Sequence, residues 1–368
     1  MSEPDWEAEG LLGDLEGRER DGRIAVLREL HEDGVPLEEL RRAVADERLI
    51  FLPVERALGE DPRYSPRQIA DETGLDFDFL TRQWQALGLP VREPDQIAYT
   101  DRDLEAARRL KQFLDVGLPE DGVIEMGRVL GQSMAHIAEA SRYLIGNELF
   151  EPGATEHDVT RRAQFVEPLI QLMEPTLAYV FGLQLREQIR HEAFDRDAFE
   201  RGRLGARDVT VCFADIVGWT QLGEEEEEDT IGSVADRLAA MTSEHVRPPV
   251  RVVKMIGDAA MLVSPEAPPL MELALDLVAA AEADEAFPVL RAGLASGSAL
   301  NRWGDWYGRP VNLASRVCSR ARPGSVLITA PVRDACERDG YRFSAAGEKQ
   351  LKGIGGVPLW RVRRDGGA

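Results

Sequence analysis

Two aspartates stand where apolar runs break into turns. Asp215 closes the run Val209-Thr-Val-Cys-Phe-Ala-Asp215, and Asp258 lies in the junction Ile256-Gly257-Asp258. Taken singly, each reads as an ordinary turn aspartate. Held side by side they would repel unless a cation neutralised them. Hard divalent cations take oxygen ligands and bridge to phosphate. Two of them can activate an attacking oxygen and steady a departing phosphate. The first chemistry the sequence suggests is therefore metal-assisted transfer at a phosphate.

That chemistry needs elements that bring the two carboxylates together. The runs Val250–Met255 and Ala259–Ser264 flank a Gly-Asp pair, so they read as a β-hairpin with Asp258 at its tip. A strand end and a neighbouring hairpin tip lie side by side in an antiparallel sheet. Around them the sequence predicts a helix through Ile231, Val234, Leu238 and Met241, and another over Leu270–Ala283. A strand is expected over Leu290–Ala295, a helix near Val311–Arg320 and a strand over Val326–Ala330. Strands and helices alternating around hairpins indicate an α+β sheet layered with helices.

Three motifs occur in order: Phe213-Ala-Asp-Ile-Val-Gly-Trp-Thr220, Lys254-Met-Ile-Gly-Asp258, and Asp305-Trp-Tyr-Gly-Arg-Pro-Val-Asn-Leu-Ala-Ser-Arg316. Together they resemble the catalytic domain of class III adenylate and guanylate cyclases, over about residues 205–364. The resemblance implies a ferredoxin-like catalytic domain and assigns roles residue by residue. Asp215 and Asp258 match the metal-binding aspartates, for two divalent cations, Mg²⁺ or Mn²⁺. Lys254 and Asp305 match the pair that reads the base. Asn312 and Arg316, four apart and so on one helix face, match the transition-state pair. Lys352, in Lys-Gly-Ile-Gly, resembles the lysine that grips the terminal phosphates.

The residue types suit those roles. Adenine offers an amino donor and a ring-nitrogen acceptor, which an Asp acceptor and a Lys donor complement; guanine needs the reverse polarity. Arg316 can meet developing phosphate charge with its fixed fork of donors. The expected activity is thus conversion of ATP to 3′,5′-cyclic AMP and pyrophosphate. A guanylate cyclase, or a non-catalytic nucleotide- or DNA-binding regulator, is the alternative. The resemblance also implies a homodimer, because such sites form between two catalytic domains. Trp303, Trp306 and Tyr307 read as packing residues, and the run Glu224–Glu228 with Asp229 as a solvated loop and helix start.

The first half of the chain reads as all-α. Residues 1–20 are acidic and without periodicity, and are expected to be a loose end. Residues 21–198 are expected to form a helical regulatory and dimerisation domain, 199–207 a linker, and 208–364 the catalytic domain. This half is similar to the helical region that precedes some actinobacterial class III cyclases. Tyr64-Ser-Pro-Arg-Gln-Ile-Ala-Asp-Glu-Thr-Gly-Leu75 opens like a helix-turn-helix. Residues 61–117 hold eight Lys/Arg against eleven Asp/Glu, a net of −3, whereas a DNA-reading module carries a basic face. No nucleic-acid partner is expected. Met126, Met134, Tyr143, Leu144, Phe150, Phe165, Met173, Tyr179, Phe181 and Leu183 are expected in core and dimer interface, with a pocket for a lipid-like effector as the minor reading. A small-molecule or pH signal at this domain is the expected input. Histidine as a residue type titrates near neutral pH, which makes a switch at His136, His157 and His191 a hypothesis, with ordinary surface or core histidines the better reading.

The formal net charge is −22, which repels nucleic acid and anionic membrane. No run reaches the ~20 apolar residues of a membrane span, and Met1–Gly10 lacks the features of a signal peptide. A cytoplasmic protein is expected. Cys212, Cys318 and Cys336 are too few and too scattered for a disulfide framework or zinc site, and read as reduced, buried thiols.

Overall fold

A computed structural model describes residues 3–59, 62–149, 154–163, 166–191, 206–219, 224, 228–337 and 340–365. The chain forms two compact units, Met1–Ala193 and Phe194–Ala368.

The regular elements of the first unit among the described residues are helices, with one isolated β-bridge between Tyr64 and Tyr99. Helices α1 (Gly17–Glu32), α2 (Leu37–Ala45) and α3 (Leu52–Leu58) open it. Residues 3–16 are not the loose end expected from their composition. Trp6, Leu11 and Leu12 are buried in one cluster with Val26, Leu27, Leu30 and Leu40, and the Trp6 ring meets His31 edge-on at 5.8 Å. Three large apolar side chains suffice to dock a segment that has no periodicity, because burial area and not pattern sets the driving force.

Helices α4 (Pro66–Thr73) and α5 (Phe77–Ala86) form the helix-turn-helix-like pair. The start of α4 is fixed by a reciprocal cap: Gln68 N donates to Ser65 Oγ at 3.3 Å, and Ser65 N donates to Gln68 Oε1 at 2.8 Å. Gly74 ends α4 at φ +68°, a left-handed conformation that glycine adopts without penalty. Phe79, Leu80 and Trp84 of α5 pack with Leu104 of α6 (Asp101–Asp115) and Val123 of α7 (Glu120–Leu149). The unit closes with α8 (Glu156–Ala163) and α9 (Val166–His191). Along α7 and α9, Tyr143, Leu144, Leu172, Tyr179 and Phe181 are exposed in the single chain, Tyr143 and Phe181 to 68%. They do not belong to this unit's own core. Phe150 and Phe165 lie outside the described residues.

The second unit is built on a sheet whose order is β2-β3-β1-β4-β6-β8-β7. The strands are β1 (Ala206–Ile216), β2 (Arg251–Ile256), β3 (Ala259–Ser264), β4 (Leu290–Arg302), β6 (Val326–Thr329), β7 (Tyr341–Leu351) and β8 (Gly355–Arg364), with β5 (Asp305–Tyr307) paired to the end of β4. The helices are α10 (Glu228–His245), α11 (Ala267–Ala283), α12 (Arg309–Cys318) and α13 (Ala330–Cys336). Cys212, Ala214 and Ile216 of β1 point into the core that holds Leu238, Leu270, Leu277 and Val332 from α10, α11 and α13. Val209 and Val211 point to the opposite face, where Leu313, Ala314 and Val317 of α12 cover them. Period-2 alternation thus divides β1 between two cores.

The expected hairpin is β2–β3, and the expected helices and strands near 231–241, 270–283, 311–320 and 326–330 are present. Strand β4 runs seven residues past Ala295, to Arg302. Its second half, Ser296-Gly-Ser-Ala-Leu-Asn-Arg302, lacks an apolar run, yet it pairs with β1 out to Ala206↔Leu300. Ala206 and Arg207, expected in the linker, begin β1; residues 199–205 lie outside the described set. No helix among the described residues is long and apolar enough to cross a membrane.

Candidate active site

The structure brings the residues singled out in the sequence together as two pairs, Asp215 with Asp258 and Lys254 with Asp305, while Asn312 and Arg316 lie on α12 and Lys352 in the β7–β8 turn. Asp215 shares the parity of Val209 and Val211 at the end of β1, and its pairing partners are Ala259 on β3 and Arg291 on β4. Asp258 reaches it from the β2–β3 turn, where Gly257 takes φ +57° and Ile216 N donates to the Asp258 carbonyl at 3.0 Å. The hairpin tip is thereby tied to the end of β1. Burial raises the Asp258 carboxyl from its ordinary value, and the charge and hydrogen bond of Asp215 add to the shift. The structure therefore brings the two expected metal aspartates into contact.

Arg291 was not anticipated. Its Nε donates to Asp215 Oδ2 at 2.8 Å, and its Nη2 donates to the same oxygen. An arginine opening the otherwise apolar strand Leu290–Ala295 was the available signal. Strand register decides that it stands opposite Asp215, and no sequence spacing encodes that.

The second group sits within β2 and at the start of β5. Lys254 Nζ donates to Asp305 Oδ2. Asp305 is held by a further bond, Trp306 N donating to its Oδ1 at 2.8 Å. Fifty-one residues separate Lys254 from Asp305, so their pairing is a tertiary result. Both remain partly exposed, Lys254 to 43%, so each can turn to a ligand. Trp306 is buried while Trp303 and Tyr307 are exposed.

Asn312 and Arg316 lie on α12. The helix starts at Gly308, where φ is +142°. A Cβ there would come within 3.1 Å of the Ser298 carbonyl oxygen, so the β5–α12 junction needs glycine. At its other end α12 lies directly on β4. A Cβ on Gly293 would stand 2.1 Å from Cys318 N. Cys318 in turn hydrogen-bonds the Arg291 carbonyl at 3.5 Å, and burial, with the nearby Asp215 charge, pushes its thiol up to about 12. All three cysteines are free and buried, as expected. Lys352 occupies the β7–β8 turn between Leu351 and Gly353, exposed to solvent.

Among the described residues no group of three or more His, Cys, Asp or Glu could hold a metal. The Asp215–Asp258 pair is a two-carboxylate site. It suits a hard cation that fills its remaining positions with water and phosphate oxygens.

Residues 4–189 match the model of the adenylate cyclase regulatory domain, and residues 205–363 that of the adenylate and guanylate cyclase catalytic domain. The chain is 42% identical to the pH-sensitive adenylate cyclase MT1302 of Mycobacterium tuberculosis, over 98% of this chain and 92% of that one. It is 32% identical to an adenylate cyclase of Streptomyces coelicolor, over 84% and 88% of the two chains. The solved adenylyl cyclase CyaB from P. aeruginosa aligns with 44% of this chain and 98% of its own at 22% identity and a TM-score of 0.37.

Proposed function

The chain belongs to the class III adenylate and guanylate cyclases, its catalytic domain preceded by an adenylate cyclase regulatory domain, and on that premise we propose that it cyclises ATP at sites shared between two copies of itself. The enzyme class is adenylate cyclase. The products are 3′,5′-cyclic AMP and pyrophosphate. The observation that carries the reading is the pairing of Lys254 with Asp305, in a chain whose Asp215 and Asp258 also meet.

Two Mg²⁺ or Mn²⁺ would be held by Asp215 and Asp258, because two carboxylates in contact favour a neutralising hard cation. Bound there, such cations supply acidification of the ribose 3′-hydroxyl and charge neutralisation on the phosphates. Lys254 donates to an adenine ring nitrogen and Asp305 accepts from its amino group. Their mutual ion pair holds both in place before the base arrives. Asn312 orients the ribose, and Arg316 stabilises charge that develops at the α-phosphate. Lys352 grips the terminal phosphates. Arg291 neutralises Asp215 until cation and substrate enter, and then adds a fixed positive charge for the phosphate chain.

A symmetric homodimer with two sites follows from one chain carrying the full set. The exposed apolar side chains of α7 and α9 support an interface between copies through the first unit. That unit is read as the regulatory domain. Acidity is one input, supported by the name of the mycobacterial relative, a pH-sensitive adenylate cyclase. A small or lipid-like molecule is the other. The cytoplasm is the proposed location and no nucleic acid is a proposed partner, given the net charge of −22.

The test is cyclic nucleotide formation from ATP and from GTP by the full chain, with Mg²⁺ and with Mn²⁺. Cyclic AMP from ATP, lost in Asp215→Ala, is expected. Absence of product with either nucleotide and either metal would sink the reading, and cyclic GMP in excess would move the assignment to a guanylate cyclase.

A further inference from the structure

Beyond the C-terminal end of α12, on the same face of the sheet, a cavity of about 240 Å³ opens over β6, β8 and β7. Arg320, Arg322, Lys349 and Arg361 line it together with Ser325 and Ser344, and no carboxylate lines it among the described residues. The row Leu327↔Arg361↔Ser344 places their side chains on one face. In a chain of net charge −22, this is a local inversion of the field.

The neighbours make the inversion specific. Arg237, Arg291, Arg333, Arg342 and Arg364 of the same unit are each ion-paired with an aspartate. None of the four cavity cations has a carboxylate partner among the described residues. Arg320 instead donates to the Gln350 carbonyl at 3.2 Å, which ties the segment after α12 to β7. Glu282 lines an adjoining cavity that also touches Ser325 and Arg361, so one acidic group trims the field without cancelling four. Like charges gathered around one cavity repel each other, and a multivalent anion relieves that repulsion.

We propose that this cavity is a second anion site, separate from the aspartate pair, and that it takes a condensed phosphate. The guanidinium forks suit phosphate oxygens bidentately, and the serine hydroxyls add donors. A single phosphate leaves much of the charge unmatched, whereas a pyrophosphate unit spans several cations. The volume is below the roughly 300 Å³ at which pockets for drug-sized ligands begin, so the site holds a phosphate chain and not a whole nucleotide. In sheet order β8 is three strands from β1, roughly 14 Å at about 4.8 Å per strand, which separates the site from Asp215. Two sources supply this chemistry: free pyrophosphate and the phosphate tail of a nucleotide. A role as a product-binding site rests on the proposed cyclase reaction; the binding itself does not.

The test is calorimetric titration of the full chain with inorganic pyrophosphate in the presence of EDTA, which removes divalent cations from the aspartates. ATP and adenosine are titrated in parallel. Pyrophosphate should bind, about tenfold or more weaker after Arg322→Gln with Lys349→Gln, weaker at high salt, and unchanged by Asp215→Ala or Arg316→Gln. Arg322 and Lys349 are exposed, so the double variant keeps the fold; Arg361→Gln, at a half-buried position, is a second probe. Tighter binding of ATP than of pyrophosphate, with adenosine silent, identifies the nucleotide tail as the source, and the reverse order identifies free pyrophosphate. No binding at millimolar pyrophosphate, binding indifferent to the double variant, or binding abolished by Arg316→Gln alone would each overturn the proposal.

Discussion

The contact between α12 and β4 offers a stringent test of how the fold positions the proposed chemistry. Gly293 lies under the last turn of α12, and a methyl group there would stand 2.1 Å from Cys318 N and 2.5 Å from Cys318 Cα. These are backbone atoms and cannot rotate away. Ordinary contact begins at 3.4 Å, so the helix end or strand must retreat by about 1.3 Å, the difference between 3.4 and 2.1. Overpacking of this kind costs about 1–3 kcal/mol, or about 2–12 °C in Tm for a unit of this size at 2–4 °C per kcal/mol. The larger effect is on the reaction. The same turn carries Arg316, and Arg291 stands two residues from Gly293 on β4, so one shift misplaces both. A displacement of ~1 Å can cost about a hundredfold in rate. Gly293→Ala should therefore lower kcat for cyclic AMP formation by about tenfold to a hundredfold. Far-ultraviolet circular dichroism at assay temperature should be unchanged. The assay is steady-state kinetics with ATP alongside a thermal melt. A Gly293→Ala protein with kcat within twofold of wild type and unchanged Tm would refute the argument that this crossing sets the geometry of the site.

Asp258→Asn should abolish cyclisation yet stabilise the metal-free fold. The Asp258 carboxyl is raised in the folded state, so its contribution to stability is fully present below its unfolded pKa and lost as pH rises through the folded value. The Tm gain of Asp258→Asn in EDTA should accordingly appear at neutral pH and vanish in acid; an equal gain at both would contradict that cause. The three thiols should resist alkylation in native protein at pH 8 and react only on unfolding, because burial holds Cys318 at about 12 and Cys212 well above its usual range; mass spectrometry of iodoacetamide-treated protein reads this directly. Trp6→Ala should cost about 3–5 kcal/mol in the first unit, since Trp6 is buried against His31. A melt of that variant indistinguishable from wild type would restore the segment as a loose end.

The amino-acid sequence by itself determined the composition of the site and the local elements that carry it. Asp258 follows a glycine between two apolar runs, and that pattern is enough to predict a hairpin tip. Asn312 and Arg316 stand four apart on a helix, and that spacing is enough to put them on one face. The helix-turn-helix-like pair α4–α5 was legible from the small and apolar placement of Ile69, Ala70, Gly74 and Leu75, because a tight turn between two short helices is a local requirement. What lay beyond reach depended on contacts distant along the chain. Register between β1 and β4 sets Arg291 against Asp215, and the turn after β4 brings Asp305 to Lys254. The polar half of β4 and the alternating β7 have no apolar run to announce them; they are strands because β1 and β8 offer unpaired backbone groups. Trp6, Leu11 and Leu12 had no periodicity to read, yet their burial against α1 and α2 orders the segment. Local propensity and turn chemistry are written in neighbouring residues, whereas pairing and burial are decided only when the whole chain competes for the same partners.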